Sequence, residues 1–121
     1  MRATKPLCIC MVLVSWTGVT RAADLGCAEV ADHVGETATV YGVVASARYA
    51  DRSSSKPTFL NLCKAYPNQA ITGFIRESDR PKFGTPEKDL LGKEVCPTGK
   101  IELYKGKSEI KLRDADQLKQ K

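Results

Sequence analysis

TATVYGVVASARY, residues 37–49, decides the architecture. Its β-branched content reads as a strand, and the alternation in it is double. Thr37, Thr39, Tyr41, Val43 and Ala45 share one phase, and Ala38, Val40, Gly42 and Val44 share the other. Both phases are largely apolar, so both faces of the strand are expected to be covered in part. Gly42 in mid-strand marks a bend, as in a strand that curls around a small barrel. The polar stretch that follows, ADRSSSKP at 50–57, has no apolar anchor and reads as a surface loop.

Upstream, residues 1–22 have the layout of a secretory signal peptide. Arg2 and Lys5 precede an apolar run from Leu7 to Trp16, broken only by Ser15, and Thr20-Arg21-Ala22 puts small residues before a cut at Ala23. The run falls short of the about 20 apolar residues that cross a bilayer. The alternative is a buried N-terminal helix. A lipid anchor at Cys27 is excluded by Asp24, which stands where an aliphatic residue is needed. The expected mature chain, 23–121, is a single domain that does not insert into a membrane.

The cut changes the charge. The whole chain has 19 Lys plus Arg against 14 Asp plus Glu. Arg2, Lys5 and Arg21 leave with the leader and no acid does, so 16 cations face 14 acids, a net +2. Net charge alone then gives no case for nucleic acid, and any such case rests on where the cations sit. Cys27, Cys63 and Cys96 remain after the cut. An exported chain can form a disulfide, and an odd number leaves a thiol over. With His33 as the sole histidine and no paired C-x-x-C, neither a zinc site nor any cofactor is expected.

Between the leader and the long strand, DLGCAEVADHV (24–34) reads as a short helix that stops at Gly35, with His33 in its last turn. Downstream, 58–62 is a second strand ending at the Tyr66-Pro67-Asn68 turn, and 70–76 is a third. Ser78–Phe83 makes a tight turn, and Thr85-Pro86-Glu87 opens a helix that Leu90 and Leu91 bury and Gly92 ends. KEVCPTGKIELY (93–104) is a fourth strand, and Lys105-Gly106-Lys107 turns into a fifth, SEIKLR, with Ile110 and Leu112 inward and Glu109, Lys111 and Arg113 outward. Asp114–Leu118 closes the chain with a turn or a single helical turn.

Five strands with a helix between the third and fourth, after a short N-terminal helix, is the plan of the OB fold, an all-β Greek-key barrel. A small α+β sandwich has a similar order. Strands one and four are neighbours in an OB barrel, so Cys27–Cys96 is the first expected bond and Cys63–Cys96 the alternative.

HVGETATVYGVV, PTFLNLCKAYPNQ, FIRESDRPKFGTPE and GKIELYKGKSEI, in that order, resemble a family of bacterial OB-fold nucleic-acid-binding domains that occur as small exported proteins and as modules beside nucleases. The chain departs from the family pattern at Ile71, around Gly73, at Tyr41 and at Pro97, where relatives tend to carry an apolar residue. The resemblance implies an exported, periplasmic or secreted module that binds single-stranded or non-specific nucleic acid without catalysis. Its partners would be nucleic acid and, alongside it, a nuclease or another exported protein. The competing reading is a periplasmic adaptor whose barrel grips a protein or a small ligand. An enzyme is not expected, because no carboxylate pair, metal cluster or nucleophile–histidine set is visible.

In OB barrels the ligand crosses strands two and three between the loops that join strands one to two and four to five. Here those loops combine cations with rings: Arg48, Tyr49, Arg52 and Lys56 on one, Tyr104, Lys105 and Lys107 on the other. Single-stranded nucleic acid is held by that combination, cations for phosphates and flat rings for bases. Solvated loop cations are the competing reading. Alternation puts Thr58, Leu60 and Leu62 on one side of the second strand and Phe59 with Asn61 on the other. If the leucines fill the barrel, Phe59 can stack and Asn61 can bond a base edge or sugar, with Arg76 on the same face and Tyr66 beside it. Alternatively the Asn61 amide holds the Tyr66-Pro67-Asn68 turn, and Phe59 packs under the Tyr66 ring or the helix.

Overall fold

The computed structural model describes residues 23–121. The expected leader, 1–22, lies outside them. The described chain is mostly β, a mixed sheet curled into a barrel. Its strands are β1 (Ala23–Leu25), β2 (Thr37–Val40), β3 (Gly42–Tyr49), β4 (Thr58–Leu62), β5 (Ile71–Ile75), β6 (Glu94–Lys100), β7 (Glu102–Tyr104), β8 (Lys107–Lys111) and β9 (Leu118–Gln120). Short 3-10 helices cover Cys27–His33, Glu77–Phe83 and Ala115–Gln117, and α1 is a single turn, Pro86–Asp89.

Nine strand segments therefore stand where five strands were expected. Two long runs are interrupted, and β1 and β9 are additional. The run 37–49 breaks at Tyr41, whose N–H leaves the ladder and donates to the Leu25 carbonyl at 2.9 Å. Ala23–Leu25 is not the start of a helix, as the apolar stripe suggested, but a strand parallel to β2. The run 93–104 breaks at Ile101, which exchanges backbone bonds with Gly35 and Glu36 at 2.7 and 2.9 Å. Residues 95–97 pair with β9, which takes the chain beyond the expected closing turn and puts Leu118 opposite Pro97.

Order along the sheet is β1-β2-β6-β3-β4-β5-β8-β7, with β9 on β6. β5 and β8 run parallel, while β3, β4 and β5 form an antiparallel meander. Curling follows from one stretch of chain. Residues 94–95 pair with β3, and 102–104 pair with β8, so the run from β6 to β7 joins the two sides of the sheet.

The core lies inside that curl. Val40, Val44, Leu60, Leu62, Ile75, Val95, Ile101 and Ile110 are fully buried, with Ile71 and Leu112 beside them. Each such side chain contributes about 1.5–3 kcal/mol by leaving water. The inward phase of the long run is Ala38, Val40, Gly42 and Val44. The other phase is covered only in part: Tyr41 is half-buried, but Val43 is exposed.

The disulfide joins Cys27 to Cys63, not Cys96 to either of them. Strand neighbourhood misled here, because the bond crosses the bend and not the ladder. Cys63 follows β4 and donates its N–H to the Val43 carbonyl at 2.8 Å. That brings its sulfur over Gly42, where a Cβ would lie 2.8 Å from Cys63 Sγ and 3.6 Å from Cys27 Sγ. Gly42 is thus needed for close approach as well as for the bend. Cys96, half-buried on β6, donates its thiol to the Lys119 carbonyl at 3.4 Å and is unpaired among the described residues. A structural disulfide fits a compartment outside the cytoplasm. No helix among the described residues is long and apolar enough to cross a membrane.

Candidate functional site

A cleft of about 660 Å³ opens on the outer face of β3, β4, β5 and β8, under the β7–β8 hairpin. Its floor is built by strand register. Ser46 on β3 faces Asn61 on β4, Asn61 faces Thr72 on β5, and Thr72 faces Glu109 on β8. A second row runs beside it: Arg48, Phe59, Phe74 and Lys111. Side chains of both rows leave the sheet on the side away from the core, because Thr58, Leu60 and Leu62 occupy the other phase and are buried.

A β-bulge places the first of these residues. Pairing slips between Val44 and Ser46, so one extra residue, Ala45, enters β3. Strict alternation from the buried Val44 would send Ser46 into the core. The inserted residue reverses the parity and turns Ser46 and Arg48 outward.

Asn61 is buried, and both ends of its amide are bonded. Its Nδ2 donates to Ser46 Oγ at 3.1 Å, and its Oδ1 accepts the Thr72 hydroxyl at 3.0 Å. Ser46 Oγ also accepts the Tyr66 backbone N–H at 3.0 Å, and Gln69 Nε2 donates to Thr72 Oγ1 at 3.0 Å. Asn61 therefore holds the turn after β4, as one sequence reading had it, but through the hydroxyl of Ser46 and not by bonding backbone itself. That turn carries Tyr66 out over the cleft, largely exposed, with a cis peptide between Tyr66 and Pro67.

The opposite bank is the β7–β8 hairpin, a two-residue loop with Lys105 and Gly106 both at positive φ, 51° and 79°. Such a loop matches the twist of its strands and favours glycine at its second position. Lys107 Nζ reaches the Pro67 carbonyl at 2.8 Å and ties the two banks together. Lys105 Nζ lies 5.3 Å from the Tyr104 ring centre, and that ring is exposed. Phe59 meets Phe74 edge to face at 5.9 Å, so its ring is held by a neighbour on the sheet, not by the helix. The cleft thus collects Arg48, Phe59, Asn61, Tyr66, Tyr104, Lys105 and Lys107 from the expected site.

Four expected residues do not line it. Tyr49 donates its hydroxyl to both oxygens of Glu77 at 2.9 and 2.8 Å, and Arg80 covers its ring at 3.8 Å. The Glu77 bond, and then burial, push its phenol up from the usual range. Its ring is committed to packing. Arg76 is bonded to Asp79 at 3.0 Å, in a cluster where Lys82 also reaches Asp79 at 3.1 Å. Arg52 and Lys56 are exposed on the 50–57 loop away from the cleft. His33 bonds Glu36 at 2.9 Å, which raises its pKa, and lies elsewhere on the surface.

Ser46, Gln69, Thr72, Ser108 and Glu109 were missed. Ser46 was hidden by the bulge. Glu109 was placed outward by alternation, and outward is the direction of the cleft, but it is 7 % exposed and so belongs to the floor. Burial raises its carboxyl above the usual range, with Lys111 opposing and Glu102 adding to the rise. Among the described residues no group of His, Cys, Asp and Glu is arranged to hold a metal ion.

No family model matches the chain. No curated protein matches it either. Among solved structures, it is similar to a putative aspartyl-tRNA synthetase from Leishmania major Friedlin, with a TM-score of 0.57 at 12 % identity over 91 % of this chain. The match spans 22 % of that synthetase. It is also similar to an OBody bound to hen egg-white lysozyme, with a TM-score of 0.54 at 16 % identity over 89 % of this chain and 98 % of the other. At these identities the likeness is one of fold alone.

Proposed function

We propose that this chain is an exported OB-barrel module that binds single-stranded nucleic acid in the cleft, without catalysis. In this reading β2 with β3, and β6 with β7, are each one long bent strand; with β4, β5 and β8 they make the five strands of the barrel, the helical segment lies between the third and fourth, and β1 and β9 are additions to that plan. Residues 1–22 are the leader, removed on export to the periplasm or beyond. One observation carries the ligand: Arg48, Lys105 and Lys107 border the same cleft as Phe59, Tyr66 and Tyr104. Cations neutralise phosphates while rings stack on bases, at about 1–3 kcal/mol per base.

Fluorescence anisotropy with a labelled single-stranded oligonucleotide, titrated across salt, tests this. Phosphate contacts from Arg48, Lys105 and Lys107 give a slope of log K on log salt of about −2, at roughly −0.7 per contact. Affinity then falls roughly 20-fold from about 50 to about 200 mM salt. Lys105→Ala with Lys107→Ala brings the slope to about −0.7. No binding at low salt rejects the reading. The competing one, a barrel that grips a protein, draws on the OBody of similar fold that is bound to lysozyme. It is favoured if binding to a partner protein survives neutralisation of those lysines.

A further inference from the structure

The cleft floor presents acceptors that the chain leaves unused. Glu109 is 7 % exposed and lines the cleft, and among the described residues its carboxyl has neither a hydrogen bond nor an ion pair. The groups around it are committed elsewhere. Thr72, facing it on β5, gives its hydroxyl proton to Asn61. Lys111, two residues along β8, directs Nζ to Glu102 at 3.6 Å, and Glu102 itself is the β7 residue facing Glu109. Gln69 Oε1 is also buried in this cleft without a partner. The oxygens of Glu109 are not fully enclosed, so they open into the cleft and are free to accept from a ligand there.

A ligand complementary to this cleft brings donors to the floor and negative charge to the rim, where Arg48, Lys105 and Lys107 stand. It must also fit between aromatic rings. A nucleobase on a phosphate backbone has this polarity, and an ionised carboxylate, which only accepts, discriminates among bases. Guanine alone offers adjacent donors on its Watson–Crick edge, N1–H and the N2 amino group. Adenine and cytosine place a ring-nitrogen acceptor beside a single amino donor. Uracil and thymine flank one N–H with two carbonyls.

We infer that Glu109 makes the cleft selective for guanine in single strands, its carboxylate oxygens accepting N1–H and N2–H while the base lies against the rings of the cleft. The inference rests on the nucleic-acid reading above and adds a sequence preference that the rings and cations alone do not impose.

The test uses the oxidised protein and labelled thymine oligonucleotides of about nine residues, within the span one such barrel covers. The central base is guanine, adenine, cytosine, thymine or hypoxanthine. Guanine is expected to bind about tenfold tighter than adenine, the discrimination of a bidentate pair. Hypoxanthine, which lacks the N2 amino group, gives up about fivefold of that without any change to the protein. E109Q, checked for folding by its melting curve, brings guanine and adenine to within about twofold. If the wild type binds all the oligonucleotides alike, the inference is overturned and the nucleic-acid reading stands. If it binds none at low salt, both are overturned. A lysine-rich peptide that binds the wild type but not E109Q would assign Glu109 to a cationic protein ligand and also overturn the inference.

Discussion

Removing the Cys27–Cys63 bond tests whether the barrel depends on the clamp at its bend. The cysteines are 36 residues apart in sequence. Loop-closure entropy for that separation gives about 3.8 kcal/mol of stabilisation at 25 °C. Total stabilities of small domains are about 5–15 kcal/mol, so this is a large share. The backbone adds a second effect. Cys63 has φ of 81°, in the left-handed region. Alanine there bears a steric cost of about 1 kcal/mol that glycine does not. Cys27→Ala with Cys63→Gly should therefore lose roughly 4 kcal/mol, and Cys27→Ala with Cys63→Ala about 1 kcal/mol more. Urea unfolding followed by far-UV circular dichroism, with linear extrapolation to water, reads both values. A loss below about 1.5 kcal/mol for the glycine variant would refute the entropic account. Equal stability of the two variants would show that the backbone at 63 relaxes once the sulfur is gone.

Three further outcomes are expected. Asn61→Ala strips partners from Ser46 and Thr72 and should cost about 1–3 kcal/mol in urea unfolding, while releasing the turn that carries Tyr66. Glu109 has a folded pKa raised by burial, so the folded state binds its proton more tightly than the unfolded state. Its contribution to stability therefore rises as pH falls through the raised pKa. Glu109→Gln should be more stable than the wild type at neutral pH, a difference that shrinks on acidification in thermal melts. Asp79 behaves oppositely: Lys82, and with it Arg76, hold its carboxyl below the usual range against the effect of burial. Its contribution is present above the ordinary carboxylate range and lost as pH falls through the lowered pKa. Melting curves of Asp79→Asn should accordingly lie below the wild type at neutral pH and converge with it in acid.

Much of the barrel was legible because its signals are local. The alternation of 58–62 and 108–113 names the core-facing apolar side chains correctly, though it left Asn61 and Glu109, both buried under the cleft, on the outer side, and the glycine in 37–49 marks the bend. Thr85-Pro86 marks the start of α1. The sites of failure are equally particular. Ala23–Leu25 and Leu118–Gln120 are short strands without a pattern of their own, and they exist because β2 and β6 offer them edges. The cysteine pairing followed from contact across the bend, which strand order does not describe. Tyr49 has the composition of a stacking residue, but Glu77 and Arg80, distant in sequence, take up its hydroxyl and its ring.

Sequence by itself determined which apolar residues of 58–62 and 108–113 face the core, because a period of two is a property of the strand alone. It also brought cations and rings to the hairpin and to the end of the long strand, since those are neighbours along the chain. Tertiary structure alone decided that Ser46, Asn61, Thr72 and Glu109 form one row. That row depends on register across four strands and on a single inserted residue in β3, and shifting either by one position would turn these side chains to the opposite face. It also decided that Glu109, an ordinary outward residue in its own strand, becomes a buried acceptor once the β7–β8 hairpin and the Tyr66 turn rise on either side of it.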